Sequence, residues 1–101
     1  LEVVNAIEVY EKLPQLKPSS MKSFLDAHKL LMKGLIDSPG KLRTKPVGIF
    51  KGDQVSHIAP PPDKLDYLMQ ELFEYFKSSD DPVLIKSCVM HYEIEFIHPF
   101  M

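Results

Sequence analysis

Nine prolines decide where helices can run in this 101-residue chain, because proline has no N–H to donate and its ring clashes with the preceding turn. They fall at Pro14, Pro18, Pro39, Pro46, the run Pro60 to Pro62, Pro82 and Pro99, and regular structure has to form in the segments between. The opening "LEVVNAIEVYEKL" puts Val3, Ile7 and Tyr10, with Val4 beside them, on one stripe until Pro14 breaks it, which predicts a helix over residues 2–12. Ser19 and Ser20 then offer N-cap oxygens to "MKSFLDAHKLLMKGLI". There Met21, Phe24, Leu25, His28, Leu31, Met32, Leu35 and Ile36 recur at helical spacing, predicting an amphipathic helix over 20–36 that "DSPGK" ends.

Two β-leaning runs follow, Val47 to Phe50 and Val55 to Ala59, joined by Lys-Gly-Asp-Gln, and predict a small hairpin over 46–59. The triple proline closes it. Asp63 then caps a helix over 63–77 whose apolar stripe is Leu65, Leu68, Met69, Leu72, Phe73 and Phe76, with Asp66, Glu71 and Glu74 on the other face. Asp81 as N-cap and Pro82 as first helical residue open a last helix over 82–98, with Ile85, Val89, Tyr92 and Phe96 as the buried stripe and Leu84 and Cys88 on its flank. The fold class is all-α with a β excursion. An isolated two-stranded hairpin is marginal in water, so it must lean on the helices or take an extended partner peptide at its edge. A plain excursion, with Lys45 and Lys51 protecting the edge, is the alternative.

Composition narrows the function classes. The apolar share of 45% and charged share of 26% are those of globular domains, and no apolar run nears the length that spans a bilayer. Residues 1–53 hold nine Lys and Arg against six Asp and Glu, and residues 54–101 three against eight, so no helix carries a basic face suited to nucleic acid. The single Cys88 excludes an internal disulfide and a cysteine zinc site, which points to a reducing compartment, and a packed side chain is expected of it. His28 is expected in the core, His57 on the hairpin, and His91 seven residues before His98 without a third metal ligand at suitable spacing.

The end, "EIEFIHPFM", concentrates the chemistry. Proline after His98 disfavours helical backbone at the histidine, so the helix finishes there. An imidazole at the negative end of a helix dipole, where cations are favoured, suits a group that accepts a proton as a general base. Domains seldom stop on Pro-Phe-Met, so the sequence is expected to continue into a phosphate-binding turn.

"HYEIEFIHPF" resembles the start of the Fic signature, His-x-Phe-x-(Asp/Glu)-Gly-Asn-Gly-Arg, represented here by His98, Phe100 and Met101. "PGKLRTKPVGI" followed by "VSHIAPPPDKLDYLMQELFEY" resembles the Fic flap region and the proline-marked helix after it, and "EVVNAIEVYE" resembles the opening helix of the Fic core. The resemblance implies the N-terminal part of a single Fic domain spanning residues 1–101, a helical bundle core with a hairpin flap, cut within the motif. It implies a protein adenylyltransferase that moves AMP from ATP, with Mg²⁺, to a Ser, Thr or Tyr hydroxyl of a target protein. His98 would be the base and Phe100 the anchor of the motif loop. Val47, Gly48, Ile49, Phe50, Val55, Ser56, His57 and Ile58 would form the flap that docks the target. No metal ligand lies within the chain, whose residues alone are expected to be inactive. A cytoplasmic protein, possible self-association, and neither membrane nor nucleic-acid partners are the accompanying expectations. A Fic-fold phosphotransferase and a non-catalytic peptide-binding module are the alternatives.

Overall fold

A computed structural model describes residues 1–100, with the backbone alone for residues 49–51 and 56. Its contacts divide the chain into two units, Leu1–Lys41 and a second beginning at Leu42. No helix among the described residues is long and apolar enough to cross a membrane.

The first unit pairs α1 (Glu2–Lys12) with α2 (Met21–Met32), joined through a 3-10 turn at Leu13–Gln15. Ser20 has extended backbone and its side chain accepts a hydrogen bond from Ser23 N at 3.2 Å, the N-cap the sequence predicts. At the other end α2 stops at Met32, short of the expected residue 36. Gly34, at φ +79°, turns the chain away, and Asn5 closes the helix from α1: its Nδ2 donates to Leu31 O at 3.0 Å and Lys33 O at 2.9 Å. Leu35 and Ile36 continue the apolar pattern in sequence but lie beyond the end of the helix.

Asn5 also decides which face of α1 turns inward. It is fully buried, whereas the expected stripe is exposed, with Val3 at 72%, Tyr10 at 76%, and Val4 and Ile7 about half exposed. The periodicity of apolar residues therefore picks the wrong side of α1. The face that packs on α2 is the one carrying the amide that its carbonyls need.

His28 is half-buried on α2 rather than deep in a core. Gly40 (φ +77°) lies so close to the helix that a Cβ would sit 2.7 Å from Lys29 Cβ and 3.0 Å from Leu25 O. Its N–H donates to His28 Nδ1 at 2.9 Å. Burial lowers the His28 pKa, in keeping with a ring nitrogen that must stay unprotonated to accept this bond.

The second unit begins with an antiparallel hairpin, β1 (Gly48–Lys51) and β2 (Gln54–Ile58). Gly52 at φ +66° makes its tight turn. Gly48 pairs with Ile58 and Ile49 with His57, but Phe50 pairs with Val55, so β2 carries one extra residue and the ladder is bulged. α3 (Leu65–Ser78) and α4 (Val83–Ile97) follow and pack together.

Neither expected acidic cap forms. Pro62–Lys64 is a 3-10 turn, with Lys64 N donating to Pro61 O at 3.0 Å, and this backbone turn rather than the Asp63 side chain leads into α3. Asp81 instead accepts from Tyr75 Oη at 2.8 Å, a bond that raises the phenol's pKa, and α4 starts after Pro82 without a side-chain cap. Leu65, Met69, Leu72 and Phe73 of α3 are buried as its periodicity predicts.

In α4 the expected stripe fails. Ile85 is 50% exposed, Tyr92 63% and Phe96 44%, Cys88 is exposed rather than packed, and the fully buried residue is Ile97. Apolar residues surround this helix on all sides, so spacing cannot select a buried face. What faces α3 includes a cation: Lys86 Nζ donates to Phe76 O at 3.0 Å and lies 5.6 Å from the centre of the Phe76 ring.

Candidate active site

An α-helix leaves its last carbonyls without intrahelical partners, and the end of α4 meets that need from a distant stretch of chain. The last helical bond runs from His98 N to Ile94 O at 2.9 Å. Beyond it, four consecutive carbonyls take donors from the hairpin region. Phe96 O receives His57 Nε2 at 2.8 Å, and Ile97 O receives Arg43 Nη2 at 3.2 Å. His98 O receives Arg43 Nε at 2.7 Å, and Pro99 O receives the Arg43 backbone N–H at 2.8 Å. The guanidinium also donates from Nη1 to Lys45 O at 2.9 Å and from Nη2 to Pro60 O at 2.6 Å. One side chain thus ties the residues before β1, the residues after β2 and the end of α4.

Arg43 is 3% exposed and forms no salt bridge among the described residues. Its charge is balanced by carbonyl dipoles and by the negative end of α4. Burial lowers its pKa, yet a guanidinium stays protonated in proteins. Bonds that pair a cation with carbonyls are stronger than neutral ones, so this cage fixes local backbone firmly.

What it fixes is unusual. His98 sits at φ 51°, ψ 64°, and is the one non-glycine residue with positive φ among the described residues. Pro99 disfavours the right-handed helical conformation at the residue before it, and the left-handed conformation that His98 adopts costs a non-glycine residue about 1–3 kcal/mol. The carbonyls on both sides of that strained residue, of Ile97 and His98, are held by the same guanidinium. The chain then leaves through a buried Pro99 to a half-buried Phe100. Among the described residues no group hydrogen-bonds to the half-buried His98 ring.

Of the expected flap residues, Val47 is half-buried, and Gly48, Val55 and Ile58 are exposed. The side chains of Ile49, Phe50 and Ser56, and Met101 of the motif, lie outside the described residues. His57 turns toward α4, its ring 4.7 Å from that of Phe96 and its Nε2–H on Phe96 O, so the flap is seated on the helix that ends in His98. His28 lies in the other unit, and His91 pairs with Glu95 at 2.9 Å on α4.

Sequence reasoning missed Arg43. One signal was available: it is the only arginine in the chain, placed directly between "PGKL" and the first strand.

Comparison with known proteins bears on this arrangement directly. The Fic/DOC family profile matches residues 18–101. The chain belongs to the Fic/DOC family. Its structure also matches that of a Fic family protein from Desulfovibrio desulfuricans G20, with a TM-score of 0.88 and 44% sequence identity over 98% of this chain. The chain spans 30% of the length of that protein. No curated protein matches. The all-α Fic-type architecture with a small hairpin is therefore established.

Proposed function

We propose that this chain supplies the base and the target-docking flap of a Fic-type AMP transferase. The oxygen of a target Ser, Thr or Tyr hydroxyl attacks the α-phosphorus of ATP and its proton passes to the His98 imidazole. The bond to pyrophosphate breaks, and the target leaves carrying AMP. The observation that supports this most is the strained, fully braced backbone at His98. A protein that only needed to end a helix before proline would place a glycine or asparagine there, whereas a reaction needs the imidazole.

The flap supports the protein-substrate part of the reading. Each of its two strands pairs on one side only among the described residues, the arrangement to which an extended peptide can add a strand, and His57 and Arg43 tie it to the end of α4. Fic family membership fits an AMP transferase or a related transferase. Among the described residues no three His, Cys, Asp or Glu side chains form a group that could hold a metal ion.

The test uses the full-length protein with ATP labelled at the α- or the γ-phosphate. Label from the α position should appear on protein in the wild type, and fall about 10²–10⁴-fold in His98→Ala with folding intact. Label arriving only from the γ position would make the protein a phosphotransferase, and undiminished transfer by His98→Ala would remove His98 from the mechanism.

A further inference from the structure

We propose that Arg43 is a positioning residue of this reaction: by holding the carbonyls around His98 and those flanking the hairpin, it fixes the angle of the imidazole and makes flap and helix end a single mechanical unit. The proposal rests on the functional reading above, in which His98 is the base and the hairpin docks the target.

Three observations carry it. The guanidinium makes four side-chain hydrogen bonds, to Ile97 O, His98 O, Lys45 O and Pro60 O, and its backbone N–H makes a fifth, to Pro99 O. These bonds bracket the strained residue on both sides, and strain of this kind persists only where the surroundings over-determine it. The same guanidinium reaches the chain on both sides of the hairpin, at Lys45 and Pro60, so a displacement of the flap's base is felt at His98 O without an intervening side chain. His57 adds an independent tie from the flap to Phe96 O, two residues earlier on α4.

A plain structural cap would need far less. Lysine carries the same charge but presents a point of three donors, not a planar fork, and cannot span carbonyls on three segments. Arg43→Lys therefore keeps the buried cation beside the helix dipole and removes the geometry. Reactions that depend on a placed base lose about a hundredfold for a misplacement of an ångström.

In the full-length protein, transfer rates per folded molecule should show Arg43→Lys with kcat lowered about a hundredfold, while KM for ATP changes little, since the tie acts on the base and the target flap. Arg43→Leu should lose at least as much. A folded Arg43→Lys with the wild-type kcat would overturn the proposal, as would a loss confined to KM for ATP.

A measurement on the unmutated protein covers the case in which the variants do not fold. Under native-state hydrogen exchange the amides of Arg43 and His98 should open together, with matching protection factors. Opening of the His98 amide that is tenfold more frequent than that of Arg43 would overturn the single-unit claim. His98→Ala separates the two ideas: if transfer survives that change, the functional reading fails, and the exchange result still judges the tie between Arg43 and His98.

Discussion

Two helices in this chain end in the same predicament and solve it differently. α2 and α4 both leave carbonyls open at their C-termini, and both are closed by a buried polar side chain from elsewhere in the chain, Asn5 in the first unit and Arg43 in the second. At the end of α2 the neutral amide meets two carbonyls and a glycine, Gly34, takes the left-handed conformation at no steric cost. At the end of α4 a cation meets a larger cluster of carbonyls, and a histidine takes that conformation. The first solution is the inexpensive one. The second puts a strained side-chain-bearing residue at the turn and holds it with a buried charge.

The sharpest way to break the comparison is to remove both closing side chains. Arg43→Leu should destabilise the full-length protein by about 3 kcal/mol or more, because several buried carbonyls lose their donors at once. Asn5→Leu should cost less, about 1–2 kcal/mol, since only two carbonyls are affected and the buried Asn5 Oδ1 has no partner to lose among the described residues. Equal losses in denaturant unfolding would mean that the charge at Arg43 adds nothing.

A second pair of substitutions exchanges the turn residues. Gly34→Ala should destabilise by about 1–2 kcal/mol from the left-handed backbone, since the new Cβ would meet only the end of the exposed Leu1 side chain, which can move aside. His98→Gly should do the reverse, raising stability by about 1 kcal/mol through relief of strain while transfer is lost. A His98→Gly variant that unfolds more easily than the wild type would show that His98 is not strained.

The smallest effect is the titration of His28. Its pKa is lowered from 6.5 in the folded protein, so the unfolded chain binds the proton more readily, and stability rises with pH across that interval. The contribution is complete above pH 6.5 and is lost as the pH falls below it toward the lowered value. Unfolding free energies of wild type and His28→Gln, compared from pH 5 to 8, should converge at the acid end, and parallel curves would contradict the assignment.

Much of the architecture was legible because local chemistry writes it locally. Ser20 as a cap, the Gly52 turn of the hairpin and the buried stripe of α3 all follow from residues within a few positions of one another. The inward faces of α1 and α4 were not legible. In α1 the decisive residue is a polar one, Asn5, chosen for carbonyls more than twenty residues away, and in α4 apolar residues on every side erase the periodic signal. His98 was legible from the proline after it, but its brace was not, since nothing near Arg43 in sequence needs a guanidinium. Its partners lie as far as 55 residues away.

That separation has a consequence for the order of assembly. The bonds from Arg43 to the carbonyls of Ile97 and His98 close loops of 54 and 55 residues, and closing a loop costs entropy that grows with its length. Local elements form in microseconds, while contacts so distant in sequence wait for the chain to collapse. The helix can therefore exist before its last turn is shaped, and the bent backbone at His98 is among the late events of folding.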